Sequence, residues 1–147
     1  MQDHRYASHR LRQGRWSLHG QIYMVTTVTK NRQPAFSDFV AARILINTIR
    51  QDELRDSHAT LSYVLMPDHL HWLLQLRQGT LSQLVGRVKS ISAKRLGKAL
   101  WQKGFHDRAL RREEDIRDVA RYIVANPLRA GLVKRLGDYP HWDAIWL

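Results

Sequence analysis

The chain contains no cysteine, which excludes both a disulfide framework and a thiolate zinc site and agrees with a reducing cytosol. No apolar run approaches the roughly 20 residues that a membrane-spanning helix needs. The opening stretch MQDHRYASHRLRQGRW is polar and basic and lacks the apolar core of a signal peptide. No phosphate-cradling GxxxxGK[ST] loop occurs, so an NTP-driven activity has no motif to rest on. Acidic residues are scarce: 13, against 24 Lys and Arg, for a formal net charge of +11 with His neutral. These absences lead to the expectation of a soluble, cytoplasmic protein with no membrane span. Its excess charge suits a polyanion, nucleic acid first and an anionic membrane surface second.

What is present suffices for one core. The chain has 147 residues, 44% of them hydrophobic, the size of one domain, and no internal repeat, low-complexity tract or linker divides it. Residues 1–19 read as a basic arm in which Arg5, Arg10, Arg12 and Arg15 alternate with aromatics and histidines. QIYMVTTVT (21–29) is rich in β-branched and aromatic residues and predicts a strand. Residues 37–54 carry apolar side chains at helical spacing behind a Ser37 or Asp38 cap. Residues 59–77 predict a β-hairpin turning at Pro67-Asp68, and 79–100 a basic amphipathic helix with Leu81, Leu84, Val88, Ile91 and Ala99 on its apolar side. A short strand is expected near Phe105, then a helix over 112–127 with acidic residues in its first turn and an end near Ala125 or Asn126, before Pro127. The C-terminal tail, 128–147, reads as irregular apart from short helical turns. The order β-α-β-β-α-β-α predicts an α+β fold: a ferredoxin-like (RRM-like) split βαβ antiparallel sheet with helices on one face, plus a C-terminal tyrosine-bearing helix.

YVLMPDHLHWLLQLR (63–77) interrupts an apolar run with His69 and His71. On a strand these two share a face. On a helix they would stand about 200° apart and could not hold one ligand. The plain reading is two histidines satisfied by hydrogen bonds on a sheet face. The chemical reading is a divalent metal held by two imidazoles, which needs a third ligand and an open position. A histidine-triad hydrolase would need a third histidine where Leu73 stands, and a two-histidine phosphodiesterase would need H-x-T/S motifs that are absent.

ARYIVANP puts Tyr122 and Asn126 one helical turn apart. The plain readings are a tyrosine at the edge of the apolar stripe and a helix-ending asparagine. Together with the histidines they suggest a mechanism. A phenol is a weak nucleophile, with a pKa near ~10, but it becomes effective against a phosphate polarised by a metal. Asn126 could supply the third ligand through its amide oxygen.

The pattern His-apolar-His on a strand, followed by one tyrosine on a later helix, resembles the HUH endonucleases of the single-tyrosine transposase type. YVLMPDHLHWLLQL, WQKGFHDRAL, ARYIVANPLRAGLV and YPHWDAIWL together resemble the REP-associated tyrosine transposases of bacteria, from about residue 17 to the C-terminus. The resemblance implies a single domain over 1–147 that binds single-stranded DNA, and so a nucleoid-associated protein. It implies Mg²⁺ or Mn²⁺ on His69, His71 and Asn126, the last a position where many members carry glutamine, and Tyr122 as nucleophile. The product would be a 5′-phosphotyrosine with a free 3′-OH. The substrates would be hairpins of repetitive extragenic palindromes (REP), and the protein would act as a monomer, with a dimer left open. Rolling-circle initiators share the histidine pair but usually carry lysine where Ala125 stands.

Candidate DNA contacts are Arg87, Lys94 and Lys98 along the basic helix, Lys103 and Arg108 before the tyrosine helix, with Arg111 and Arg112, and Arg5, Arg10 and Arg12 in the arm. Trp16, Trp101 and Trp142 are candidate stacking platforms for unpaired bases. Two rival readings stand beside the enzyme. One is a non-catalytic single-stranded nucleic-acid binder on a ferredoxin-like sheet. The other, a metal hydrolase of small phosphodiesters, leaves the charge unexplained.

Overall fold

The computed structural model describes residues 19–144; Arg5, Arg10, Arg12 and Trp16 lie outside the described residues. The elements run β1 (Ile22–Val28), α1 (Phe39–Glu53), β2 (His58–Met66), β3 (His69–Leu76), α2 (Leu81–Leu96), β4 (His106–Leu110), α3 (Glu113–Val124), α4 (Asn126–Arg129) and β5 (Trp142–Ala144). All strand pairs are antiparallel in one sheet of order β4-β1-β3-β2-β5. The first four strands and two helices form the split βαβ expected from the sequence. One tail reading is overturned. Residues 142–144 are not irregular but pair as an edge strand with Ser62–Val64, where the open edge of β2 offers backbone groups that need partners.

Alternation in the strands builds two cores. On one face Tyr23, Val25, Leu70, Trp72, Leu74 and Leu76 pack with Leu45, Ile46 and Ile49 of α1 and Leu84, Val85 and Val88 of α2. The other face carries Val64, Met66, Leu73 and Leu110 under Ile116, Ala120 and Ile123 of α3. The first two helices therefore share a face and the tyrosine-bearing helix covers the opposite one. Burying a side chain of the size of Ile116 or Ile123 contributes about 1.5–3 kcal/mol, so those two residues clamp α3 to the sheet.

Local signals set the helix ends. Asp38 Oδ1 accepts from Val40 N at 2.9 Å and caps α1. Thr80 and Gln83 form a reciprocal capping box at the start of α2. Gly97, at φ 67°, ends α2 in the left-handed region, which leaves Ala99 beyond the helix rather than on its apolar stripe. Among the described residues no helix is long and apolar enough to cross a membrane.

One buried polar network joins α1, α2 and β2. Arg87 Nε donates to Asp52 Oδ2 at 2.7 Å and Nη2 to Oδ1 at 3.0 Å. Ser57 Oγ also donates to Asp52 Oδ1, and His58 links Ser57 (2.9 Å) to Thr60 (2.9 Å). Burial works against the Asp52 charge, but the bonds from Arg87 and Ser57 outweigh it and hold the carboxyl below its ordinary value. Arg87 was a candidate DNA contact. Its guanidinium is instead committed to a carboxylate in a side chain only 3% exposed, on the sheet face away from the histidines. Removing one partner of a buried ion pair leaves an uncompensated charge. Arg87→Ala is therefore expected to lower unfolding free energy by about 3 kcal/mol, read by urea denaturation, while Arg87→Ala paired with Asp52→Ala should recover part of that loss.

Candidate active site

β3 presents both histidines on the face that α3 covers further along the strand. His71 pairs across to Thr26 on β1 and Val64 on β2, and His69 to Val28 and Met66. Their rings lie 4.8 Å apart, centroid to centroid, at 80°. Each ring is oriented through Nδ1. His69 Nδ1 donates to Asp68 Oδ1 at 2.7 Å, and Asp68 is in turn held by Arg32 at 3.2 Å. Burial raises the Asp68 carboxyl, but His69 and Arg32 outweigh it and keep it below its ordinary value, as a ready acceptor. Thr26 Oγ1 lies 3.0 Å from His71 Nδ1. Among the described residues no hydrogen bond engages the Nε2 of either imidazole.

Burial pushes the His71 imidazole down to about 4, with His69 and the Arg129 guanidinium adding to the effect. At neutral pH it is uncharged, the state in which imidazole binds a metal. The carboxylate behind His69 is the kind of outer partner that fixes a ligating histidine. Among the described residues no three His, Cys, Asp or Glu side chains group to hold a metal, so a third protein donor would have to be of another type.

Tyr122 stands on α3 with 57% of its surface exposed. It borders a groove of about 570 Å³ together with Met24 and Thr26 of β1, His106 and Arg108 of β4, and Asp118 and Val119 of its own helix. Thr26 belongs to both sites: its hydroxyl lies against His71 Nδ1, and the residue is part of the lining of the tyrosine groove. The groove of the nucleophile candidate and the histidine pair therefore share one β1 residue. Asn126 follows α3 directly and is half-buried; its Nδ2 donates to Ile123 O at 3.2 Å, which leaves Oδ1 as an acceptor.

The basic candidates separate. Arg108 lines the tyrosine groove. Lys103 is exposed in the loop beside Val28, where Gln102 N donates to Val28 O at 2.9 Å, and Val28 is the β1 partner of His69. Lys94 and Lys98 are exposed at the end of α2, which packs on the opposite face. Arg111 and Arg112 are exposed where β4 leads into α3. Two stacking candidates are corrected. Trp101 Nε1 donates to Ser92 Oγ at 2.9 Å and its ring packs on Phe36 at 5.5 Å. Trp142 Nε1 donates to Leu136 O at 3.2 Å while its ring packs against the α3 core. Both are structural side chains with a satisfied N–H. Sequence reasoning missed Thr26, Asp68, His106 and Arg129. Only Asp68, adjacent to His69, carried a local signal.

The His71 shift has a sign that can be measured. The unfolded imidazole takes up a proton near ~6.5, the folded one only near about 4. As pH falls through that window the unfolded state binds the extra proton and stability is lost; buried His58, also lowered, acts in the same direction. The melting temperature without added metal is expected to fall between pH 7 and 4.5, with a shallower fall in His71→Gln, read by circular dichroism.

The sequence model of the family described as "Transposase IS200 like" matches residues 17–126, a span that includes both histidines, Tyr122 and Asn126. A REP-associated tyrosine transposase of Escherichia coli K12 is 27% identical over 131 residues, covering 86% of this chain and 78% of the relative. A solved REP-associated tyrosine transposase bound to a REP hairpin superposes with a TM-score of 0.77 at 26% identity, over 87% of this chain and 79% of that one. A crystal structure from Deinococcus radiodurans, 24% identical, shares the fold at a TM-score of 0.55, over 75% of this chain and 93% of that one. With a histidine pair and a helix-borne tyrosine on one sheet face, and the family match spanning both, this chain belongs to the IS200-like transposase family.

Proposed function

We propose that this transposase cleaves and rejoins single-stranded DNA beside a REP-type hairpin, with Tyr122 as nucleophile and a divalent metal, Mg²⁺ or Mn²⁺, on His69, His71 and Asn126. The observation that carries the reading is the shared position of Thr26, which orients His71 and lines the groove of Tyr122. The residues fit a metal: two imidazoles on one strand face, each anchored at Nδ1, and an amide oxygen one turn after the tyrosine. Bound there, the ion would supply Lewis-acid polarisation of the phosphate and stabilise its transition-state charge. The hairpin substrate is taken from the solved relative bound to one, and the net charge of +11 suits the polyanion.

The step is a transesterification. The Tyr122 Oη–P bond forms as the P–O3′ bond breaks, and the phenolic proton is balanced by one gained at the departing 3′-oxygen. The DNA 5′ end is left on the tyrosine and a 3′-OH is released. One phosphoester replaces another, so rejoining needs no nucleoside triphosphate. Exposure of Tyr122 leaves its hydroxyl open to a strand that enters the groove. Arg108 lines that groove and Lys103 lies by the His69 end, where each can meet backbone phosphates. Because α3 packs on its own sheet, one chain holds the histidines and the tyrosine together, in keeping with a monomer.

A labelled hairpin oligonucleotide with a single-stranded flank, incubated with Mn²⁺ and run on a denaturing gel, tests the reading. Wild type is expected to give a covalent shifted band. Tyr122→Phe should give none while its hairpin affinity stays within about twofold, since the lost hydroxyl acts only in the chemical step. His69→Ala and His71→Ala should each abolish both the band and its metal dependence. A wild type that binds the hairpin but forms no adduct would identify a non-catalytic binder.

A further inference from the structure

Seven residues after Tyr122 the chain comes back to it. Buried Pro127 sits in the first turn of α4, where a missing N–H costs nothing, and the short helix turns residue 129 over the end of α3. Arg129 then meets Tyr122 twice. Its Nη2 donates to the Tyr122 main-chain oxygen at 2.7 Å, and its guanidinium carbon lies 3.8 Å from the centroid of the phenol ring.

A helix-capping role explains the first contact only. Any cation can serve the last carbonyls of a helix, yet this one also lies over the ring of the nucleophile candidate. Its pairing also differs from that of the arginines on the preceding helix. Arg117 is matched by Glu113 and Arg121 by Asp118. Among the described residues no carboxylate pairs with Arg129. An exposed guanidinium with one N–H used and a planar fork of donors to spare, held beside a nucleophile that attacks phosphorus, matches a phosphate oxygen in charge and geometry.

We propose that Arg129 binds the phosphodiester that Tyr122 attacks and holds the tyrosine ring in place for the attack. The inference rests on the nucleophile reading above. It gives the ANPLR turn a function: the proline-started helix carries a cation back to the tyrosine. Charge on the non-bridging oxygens grows in the transition state, and a preplaced donor stabilises it more than it stabilises the ground state.

Two measurements on the full chain test it. In single-turnover adduct formation at saturating hairpin DNA, Arg129→Ala is expected to react about 100-fold more slowly than wild type, with partial rescue in Arg129→Lys. In the Tyr122→Phe background, which keeps the ring and cannot cleave, a neutral methylphosphonate is placed at each position of the single-stranded flank in turn. One position should weaken binding, and adding Arg129→Ala should remove that penalty while affinity for the bare hairpin stem stays unchanged. Arg129→Ala reacting at the wild-type rate would overturn the proposal. So would a slow variant that keeps the whole methylphosphonate penalty, because Arg129 would then only cap the helix. A wild type that forms no adduct yet shows an Arg129-dependent penalty would sink the nucleophile reading and leave the phosphate contact standing.

Discussion

Strand β3 is hydrogen-bonded along both edges, to β1 and to β2, and everything functional hangs on the register of those two ladders. Side chains alternate across a strand, so pairing Thr26 with His71 and Val64 with His71 fixes the imidazole on one face and Trp72 on the other. Trp72 is 1% exposed, its N–H satisfied by Thr60 at 3.1 Å and its ring met edge-on by His58 at 5.1 Å. A slip of one residue would drive both histidines into the α1–α2 core and expose the tryptophan. The burial of Trp72, Leu70 and Leu74 thus holds the histidines at the surface as firmly as any contact the histidines make themselves.

Two arginines show how placement decides use. Arg87 reaches from α2 to α1, where a buried carboxylate needs it. Its charge is spent on cohesion between helix and helix, in a network that closes through Ser57, His58 and Thr60. Arg129 lies on the opposite side of the sheet, at the open end of α3, with a phenol ring and a main-chain carbonyl as partners. A ring face and a carbonyl attract a guanidinium without neutralising it, so its charge stays available to an incoming anion.

Much of the fold could be read from local pattern. The strand at 22–28, the hairpin at Pro67-Asp68, the Asp38 cap and the acidic first turn of α3 are each dictated by neighbours in sequence, and each is found where the pattern places it. β5 could not be read that way. A three-residue strand has no periodicity to detect, and it forms because the edge of β2 is there to receive it. Trp101 and Trp142 illustrate the same limit, since whether a tryptophan stacks on a ligand or on Phe36 depends on what folding brings beside it. His69, His71 and Tyr122 could be singled out as candidates because His-apolar-His on a strand followed by a tyrosine on a later helix resembles a known pattern. Thr26, His106 and Arg129 were not, because each joins the site through a cross-strand pair or a chain reversal.

The sequence by itself determined the periodicities, the helix ends and the excess of positive charge, and it marked His69, His71 and Tyr122 as candidates, because these depend on residues a few positions apart. The tertiary structure decided that α3 covers the histidine face, that Thr26 links His71 to the groove of Tyr122, that Arg87 is bound in the core and that Arg129 is not. Those outcomes depend on which faces meet, and residues 26, 71, 122 and 129 meet only once the sheet register and the burial of α3 have fixed their distances. In PDHLHW, then, local order sets the two histidines on one face, and the packing of a helix more than 40 residues downstream brings Tyr122 to the same side of the sheet.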